Sequence, residues 1–150
     1  MTNVRPIKIP GRWREGYALD FHVISSTFLG HDEYGHPQFD NKRSEIGELL
    51  YRLKYQSDQA VVPEIVEAAT SFLGRWKLAV DAIVPVTPSR ARKAQPVLIL
   101  GEEIAKELGV EFGPDWIART KELPQLKNIY DYDERIRLLQ GAYNVEKHKT

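Results

Sequence analysis

Apolar positions recur along the chain with two different periods. Near the amino end the period is two. Tyr17, Leu19, Phe21 and Val23 alternate with Ala18, Asp20, His22 and Ile24, which predicts a strand over 17–29 with one strongly apolar face. The segment HDEYGHPQF (31–39) holds Gly35 and Pro37 and predicts a turn, with a short strand near 38–40 closing a hairpin. From residue 44 the period becomes helical. Ile46, Leu49, Leu50 and Leu53 fall at i, i+3, i+4 and i+7 and form one stripe, with Ser44 or Asn41 as the cap. Gly47 inside that helix costs about 1 kcal/mol relative to alanine, which points to close packing there. A second helix is predicted over 62–74, where Val62, Ile65, Val66, Ala69, Phe72 and Leu73 share a face and Pro63 suits the first turn.

The second half alternates shorter elements. LAVDAIVPV (78–86) is rich in branched residues and predicts a strand buried on both faces, as in a parallel sheet. PVLILGEEIAKELG (96–109) predicts a third helix that Pro96 starts and Gly109 stops, with Val97, Leu100, Ile104 and Leu108 as its stripe. WIART (116–120) predicts a strand. DYDERIRLLQ (131–140) predicts a short helix with acidic residues at its start, and AYNV (142–145) a terminal strand. This order argues for an α/β class: a partly parallel sheet flanked by helices, with an amino-terminal β-hairpin. The chain reads as one domain over 1–150, with an irregular arm and hairpin at 1–41 and an α/β core at 42–145.

Composition narrows the function more than the fold. The 150 residues are 42% apolar and 28% charged, as in ordinary globular proteins. Lys plus Arg number 21, and Asp plus Glu also number 21. The balance holds in both halves, which argues against a broad basic face for nucleic acid. The absence of cysteine excludes disulfides, thiolate zinc sites and cysteine nucleophiles. The start, MTNVRPIKIPGRW, lacks the apolar core of a signal peptide, and no run approaches a membrane span. A cytoplasmic location without membrane contact is the resulting expectation.

One segment breaks the apolar pattern chemically. VDAIVPVTPSRARKAQPV (80–97) passes from a strand into two prolines and a cluster of cations. In open parallel sheets ligands bind beyond the carboxyl ends of the strands. Pro85 and Pro88 stiffen the turn. Thr87 and Ser89 supply hydroxyls, and peptide N–H groups in such a turn can converge on an anion. Arg90, Arg92 and Lys93 add charge, and the arginine fork matches phosphate oxygens. The following helix start also favours anions. A phosphate or pyrophosphate site is one reading; a solvated surface loop is the other, since there is no P-loop and no GxGxxG.

RSEIGELLYRLKYQSD (43–58), VDAIVPVTPSRARK (80–93) and RTKELPQLKNIYDYDERIRLLQGAYNV (119–145) together resemble the competence-protein ComF family of phosphoribosyltransferases. The LKY element, the strand ending in VPV, and the order Arg-Thr, Gln, Arg, Gly-Ala-Tyr-Asn-Val carry that resemblance across residues 42–145. It implies a type I phosphoribosyltransferase fold acting on phosphoribosyl pyrophosphate with magnesium. It also implies that 86–93 is the pyrophosphate loop, with Thr87, Ser89, Arg90, Arg92 and Lys93 as its contacts. The segment 119–135 would be a closing flap, with Arg119, Lys121 and Gln125 as catalytic candidates and Thr120, Lys127 and Arg135 beside them. Cations that arrive on closure stabilise charge on departing pyrophosphate and help exclude water. Without the resemblance the same segment reads as a surface loop with exposed ion pairs.

The sequence departs from the family pattern in three places. No cysteine-rich zinc knuckle precedes the domain. RKAQPVLILG stands where the family carries Arg-Gly-Phe-Asn-Gln. The phosphoribosyl-pyrophosphate signature, an apolar strand, two acids and a Thr/Gly loop, does not occur before Thr150. YDYDE (130–134) reads as a helix start and not as that signature. The resemblance therefore implies the amino-terminal part of an enzyme, a truncated product or one half of a split pair, without catalytic competence by itself. A sheet that ends at 145 would expose an edge or an apolar face, so a homodimer, a partner chain or strand exchange covering the sheet is expected. A non-catalytic protein-binding or regulatory module is the second expectation.

Three smaller constellations carry less. His31, Asp32, Glu33 and His36 lie close together, but the turn residues explain the segment without a metal. Ser25, Ser26 and Ser44 have no evident His–acid pairing, and His22 reads as a strand residue. Trp13, Trp76 and Trp116 are spaced for packing or an interface rather than for base stacking.

Overall fold

The computed structural model describes residues 2–76, 79–87, 95–119 and 131–145. The chain divides into two compact units, Met1–Leu78 and Ala79–Thr150. Both mix helices with small sheets, and each sheet among the described residues has two strands.

In the first unit, β1 (Ile7–Lys8) pairs antiparallel with β2 (Tyr17–Ala18). β3 (Val23–His31) and β4 (Pro37–Arg43) form the expected hairpin; β4 is longer than the expected 38–40, whereas β3 starts later than expected. The predicted strand over 17–29 is broken in the middle. The Asp20 carboxylate accepts from the backbone N–H groups of Phe21 (2.7 Å) and Arg5 (3.2 Å), which turns the chain between β2 and β3. Tyr17 and Phe21 therefore do not share a buried face. Tyr17 packs edge-on against Phe72 and Trp76, whereas Phe21 is exposed.

α1 (Glu45–Tyr55) begins at the expected cap. Ser44 accepts from the Gly47 N–H at 3.0 Å and donates to the Phe21 carbonyl. Gly47 is required by a close approach: a Cβ there would overlap the carbonyl oxygen of His22. A 3-10 turn (Gln59–Val61), capped by Asp58, leads into α2 (Val62–Trp76). Ile46, Leu49 and Leu53 of α1 are buried with Val61, Val62, Ile65, Val66 and Ala68. The stripes supply most of this core, but Leu50, Ala69, Phe72 and Leu73 are only half-buried, and Ala68, outside the predicted stripe, is buried instead.

The second unit is built differently. β5 (Ala82–Ile83) pairs parallel with β6 (Glu111–Phe112), and α3 (Pro96–Leu108) connects them. Gly109 ends α3 with a left-handed cap, φ +66°. The strand expected over 78–86 is far shorter and is not buried on both faces. Ala82 and Ile83 are half-buried, α3 closing on the pair at Gly101, and Val84 and Val86, beyond the strand, are exposed. Proline at 85 cannot donate to a ladder. The face of α3 also differs from its predicted stripe. Gly101 and Ala105 are its buried residues, and Val97 is 44% exposed. Small side chains let the helix close on the strands: a Cβ at Gly101 would lie 2.9 Å from Cε1 of Phe112.

β7 (Ile117–Arg119) pairs antiparallel with β8 (Tyr143–Val145), which places Arg119 opposite Tyr143. α4 (Tyr132–Leu139) precedes β8, and Asp131 caps it by accepting from the N–H groups of Asp133 and Glu134. The helix start expected within 130–134 is present from its cap at Asp131 onward. No helix among the described residues is long and apolar enough to cross a membrane.

Candidate functional site

The turn that sequence chemistry singles out begins directly after β5. Val84, Pro85 and Val86 carry the chain away from the β5–β6 pair, whose ladder is extended by the Gly113 N–H donating to the Ile83 carbonyl at 2.9 Å. Pro85 is buried while the valines on either side are exposed, so the proline anchors the start of the turn. Thr87 Oγ1 then donates to the Ile117 carbonyl at 3.0 Å, across thirty positions of sequence.

That bond brings two of the candidate segments together. Ile117 opens β7, and two residues later β7 carries Arg119, half-buried and paired in the ladder with Tyr143. Thr87 and Arg119 thus belong to one neighbourhood of the second unit. The bond also limits Thr87. A hydroxyl has a single proton, and here it is given to Ile117, so Thr87 contacts an anion as a donor only by exchanging that partner. The remaining candidates, Ser89, Arg90, Arg92, Lys93, Lys121 and Gln125, lie outside the described residues, as do Thr120 and Lys127.

α3 starts at Pro96, with no side-chain cap bond from Gln95. Helix amino ends carry partial positive charge and inward-facing N–H donors. A cation-rich segment therefore leads straight into a helix start whose dipole has the same sign.

Sequence reasoning missed a cleft in the first unit. Arg5, Ile7, Asp20, Phe21, Val23 and Ile24 line a space of about 510 Å³. Asp20 lies in its wall with only 5% of its side chain exposed, and the Arg5 guanidinium approaches it at 3.8 Å. The alternation through 19–22 is regular and gave no signal of the break, which comes from the backbone bonds to Asp20. The wall is mostly apolar, and Asp20 already serves two backbone donors; Arg5, with a largely exposed side chain, is the other charged residue of the lining.

The His31–His36 segment is organised by one carboxylate. Asp32 accepts from the N–H groups of Tyr34 and His36, both at 2.9 Å, and its second oxygen faces Gln38 Nε2 and His36 Nδ1. Among the described residues no three His, Cys, Asp or Glu side chains are grouped to hold a metal ion. Trp76 packs on Phe72 and donates to Glu15 at 3.0 Å, a structural role, whereas Trp13 is exposed and donates to the Ile9 carbonyl.

No family model matches the chain, and neither a curated protein nor a solved structure matches it.

Proposed function

We propose that the protein is a phosphoribosyltransferase-like domain whose turn after β5 binds the diphosphate of phosphoribosyl pyrophosphate. The reaction class is transfer of ribose 5-phosphate to a nitrogen nucleophile. The bond from the anomeric carbon to the diphosphate oxygen breaks and its electron pair leaves with pyrophosphate. A carbon–nitrogen bond forms, and the nucleophile gives up a proton. Arg90, Arg92 and Lys93 are assigned to the diphosphate, and Arg119, Lys121 and Gln125 to the segment that closes on it. Magnesium would arrive on the substrate's own phosphate oxygens, which suits a hard cation that keeps several non-protein ligands.

The observation that carries this reading is the Thr87–Ile117 hydrogen bond. Such a site needs its anion turn and its closing segment to be neighbours, although thirty residues separate them in sequence. The bond supports the reading by tying Thr87, in the turn, to Ile117, in the strand that runs into the second segment. The start of α3 supports the same assignment, because a helix amino end, which favours anions, follows the cations in sequence.

Calorimetric titration of the full chain tests the proposal, with pyrophosphate alone and with phosphoribosyl pyrophosphate plus magnesium. Both are expected to bind, and Arg92→Ala is expected to weaken each by roughly 10- to 100-fold, the loss of one charge-assisted hydrogen bond. No binding of either ligand, or an Arg92→Ala variant that binds as well as the wild type, removes the reading. The second reading is a non-catalytic binding module. The exposed apolar residues of the β3–β4 hairpin favour it, because they offer a surface to another chain.

A further inference from the structure

The β3–β4 hairpin is long and thinly supported. Its residues are exposed along nearly the whole of both strands. Phe28 and Phe39 face each other across it with ring centroids 5.6 Å apart, yet they remain 54% and 52% exposed. Two-stranded hairpins are marginal in water until a third strand or a packed face supports them. The two edges are not equivalent. β3 carries register irregularities between Val23 and Ser25 and between Phe28 and Gly30, which bend a strand and interrupt further pairing. β4 pairs without a break of its own from Pro37 to Arg43.

β4 carries Asp40 and Lys42 two positions apart, so both lie on one face of the hairpin. The opposite face holds Phe28, Phe39, Ser26 and Asn41, with Ser26 Oγ donating to Asn41 Oδ1 at 2.7 Å. Consider β4 antiparallel to β4 of a second copy, about a two-fold axis perpendicular to the sheet. That symmetry keeps like faces together, so a residue meets only positions of its own parity. An axis through Asp40 sets aspartate against aspartate, and one through Lys42 sets lysine against lysine. An axis through Phe39 makes no charge pair. An axis through Asn41 sets Asp40 opposite the second copy's Lys42, twice. Opposite charges directly across a ladder stabilise it and like charges oppose it. Among the self-pairing registers compared, the charges on this edge thus favour the one centred on Asn41.

We propose that the chain self-associates through β4 in that register. The product is a four-stranded sheet, β3-β4-β4-β3, with four phenylalanines on one face. This inference stands on the first unit alone and does not depend on the phosphoribosyl reading.

Light scattering after size exclusion, over a range of concentrations of the full chain, is the first test. The wild type is expected to dimerise. Asp40→Lys and Lys42→Asp each turn two attractive pairs into two repulsive ones and are expected to weaken the dimer by about tenfold or more. The double exchange Asp40→Lys with Lys42→Asp restores both pairs and is expected to restore the dimer. The second test uses the absence of cysteine. Asn41→Cys places one thiol per chain on the axis, where opposed Cα atoms lie about 4.5–5.5 Å apart, within disulfide reach. Oxidation is expected to link two chains, while Thr27→Cys on β3 is not expected to do so. Circular dichroism establishes that each variant is folded. A wild type that stays monomeric, single reversals that dimerise like the wild type, a double exchange that remains monomeric, or equal cross-linking at 27 and 41 overturns the proposal.

Discussion

The α1–α2 pair of the first unit and the α3–β5–β6 group of the second solve the same problem with opposite means. α1 and α2 meet through long aliphatic side chains, and Leu53 at their centre is 1% exposed. α3 reaches its strands through a glycine and an alanine, Gly101 and Ala105, with Phe112 filling the space opposite. In the first case stability resides in buried area on both sides of the contact. In the second it resides in how closely a backbone can approach one aromatic ring. Substitutions that add or remove a few carbon atoms should separate the two designs.

The largest effect is expected at Leu53. Leu53→Ala removes buried carbon and leaves a cavity, and the loss should be about 2–5 kcal/mol in chemical denaturation. If the loss falls below about 1 kcal/mol, the α1–α2 core is looser than its burial implies. Because the chain has two compact units and Trp116 lies in the second, the transition should be followed by Trp76 fluorescence in a Trp13→Phe, Trp116→Phe background, which reports on the first unit. Phe112 offers no equivalent position for comparison, since its removal would change an aromatic contact rather than an aliphatic one.

Gly47→Ala comes next and sharpens the contrast, because here the aliphatic helix has a close approach of its own. Alanine gains about 1 kcal/mol of helix propensity over glycine. Against that, the new Cβ overlaps a backbone carbonyl, that of His22, beside the Ser44 cap. A carbonyl fixed by the Ser44 N–H cannot swing aside as a side chain can. The net cost should be about 2 kcal/mol, within the usual range for overpacking. A variant as stable as the wild type would mean that the turn at 19–22 moves freely against α1.

These same places show what the sequence could and could not reveal. Ser44 and the Ile46, Leu49, Leu53 stripe were legible because cap and period are local properties of one helix. The oddity of Gly47 was also visible, although its partner, the His22 carbonyl, was not. The 78–86 segment misled, since branched residues specify neither how many neighbours a strand has nor where a proline ends its ladder. β6 gave no signal: Glu111 and Phe112 are too few to show a period and lie between turn-forming residues. The α3 stripe was assigned to its largest residues, whereas the contact selected its smallest. At the candidate site the cations of 90–93 were readable as composition, but the bond from Thr87 to Ile117 joins segments that no local pattern connects.

Gly101→Ala is the smallest effect and the most discriminating one. The added Cβ would lie 2.9 Å from Cε1 of Phe112 and 3.8 Å from Cγ2 of Ile83, so something must move. Unlike the obstacle at Gly47, this one is the edge of a ring, which can turn or shift by a few tenths of an ångström. The gain in helix propensity, about 1 kcal/mol, acts in the opposite direction. The two contributions should nearly cancel and leave stability within about 1 kcal/mol of the wild type. Gly101→Val has no such offset, because the branched side chain lowers helix propensity and presents two methyl groups to a ring with room for neither. It should cost about 1–3 kcal/mol. Measured together, the two variants separate a helix held by backbone proximity from one that merely tolerates a glycine. A large loss already at alanine would mean that Phe112 is as immobile as the His22 carbonyl, and the two halves of the chain would then differ in size of side chain but not in rigidity of contact.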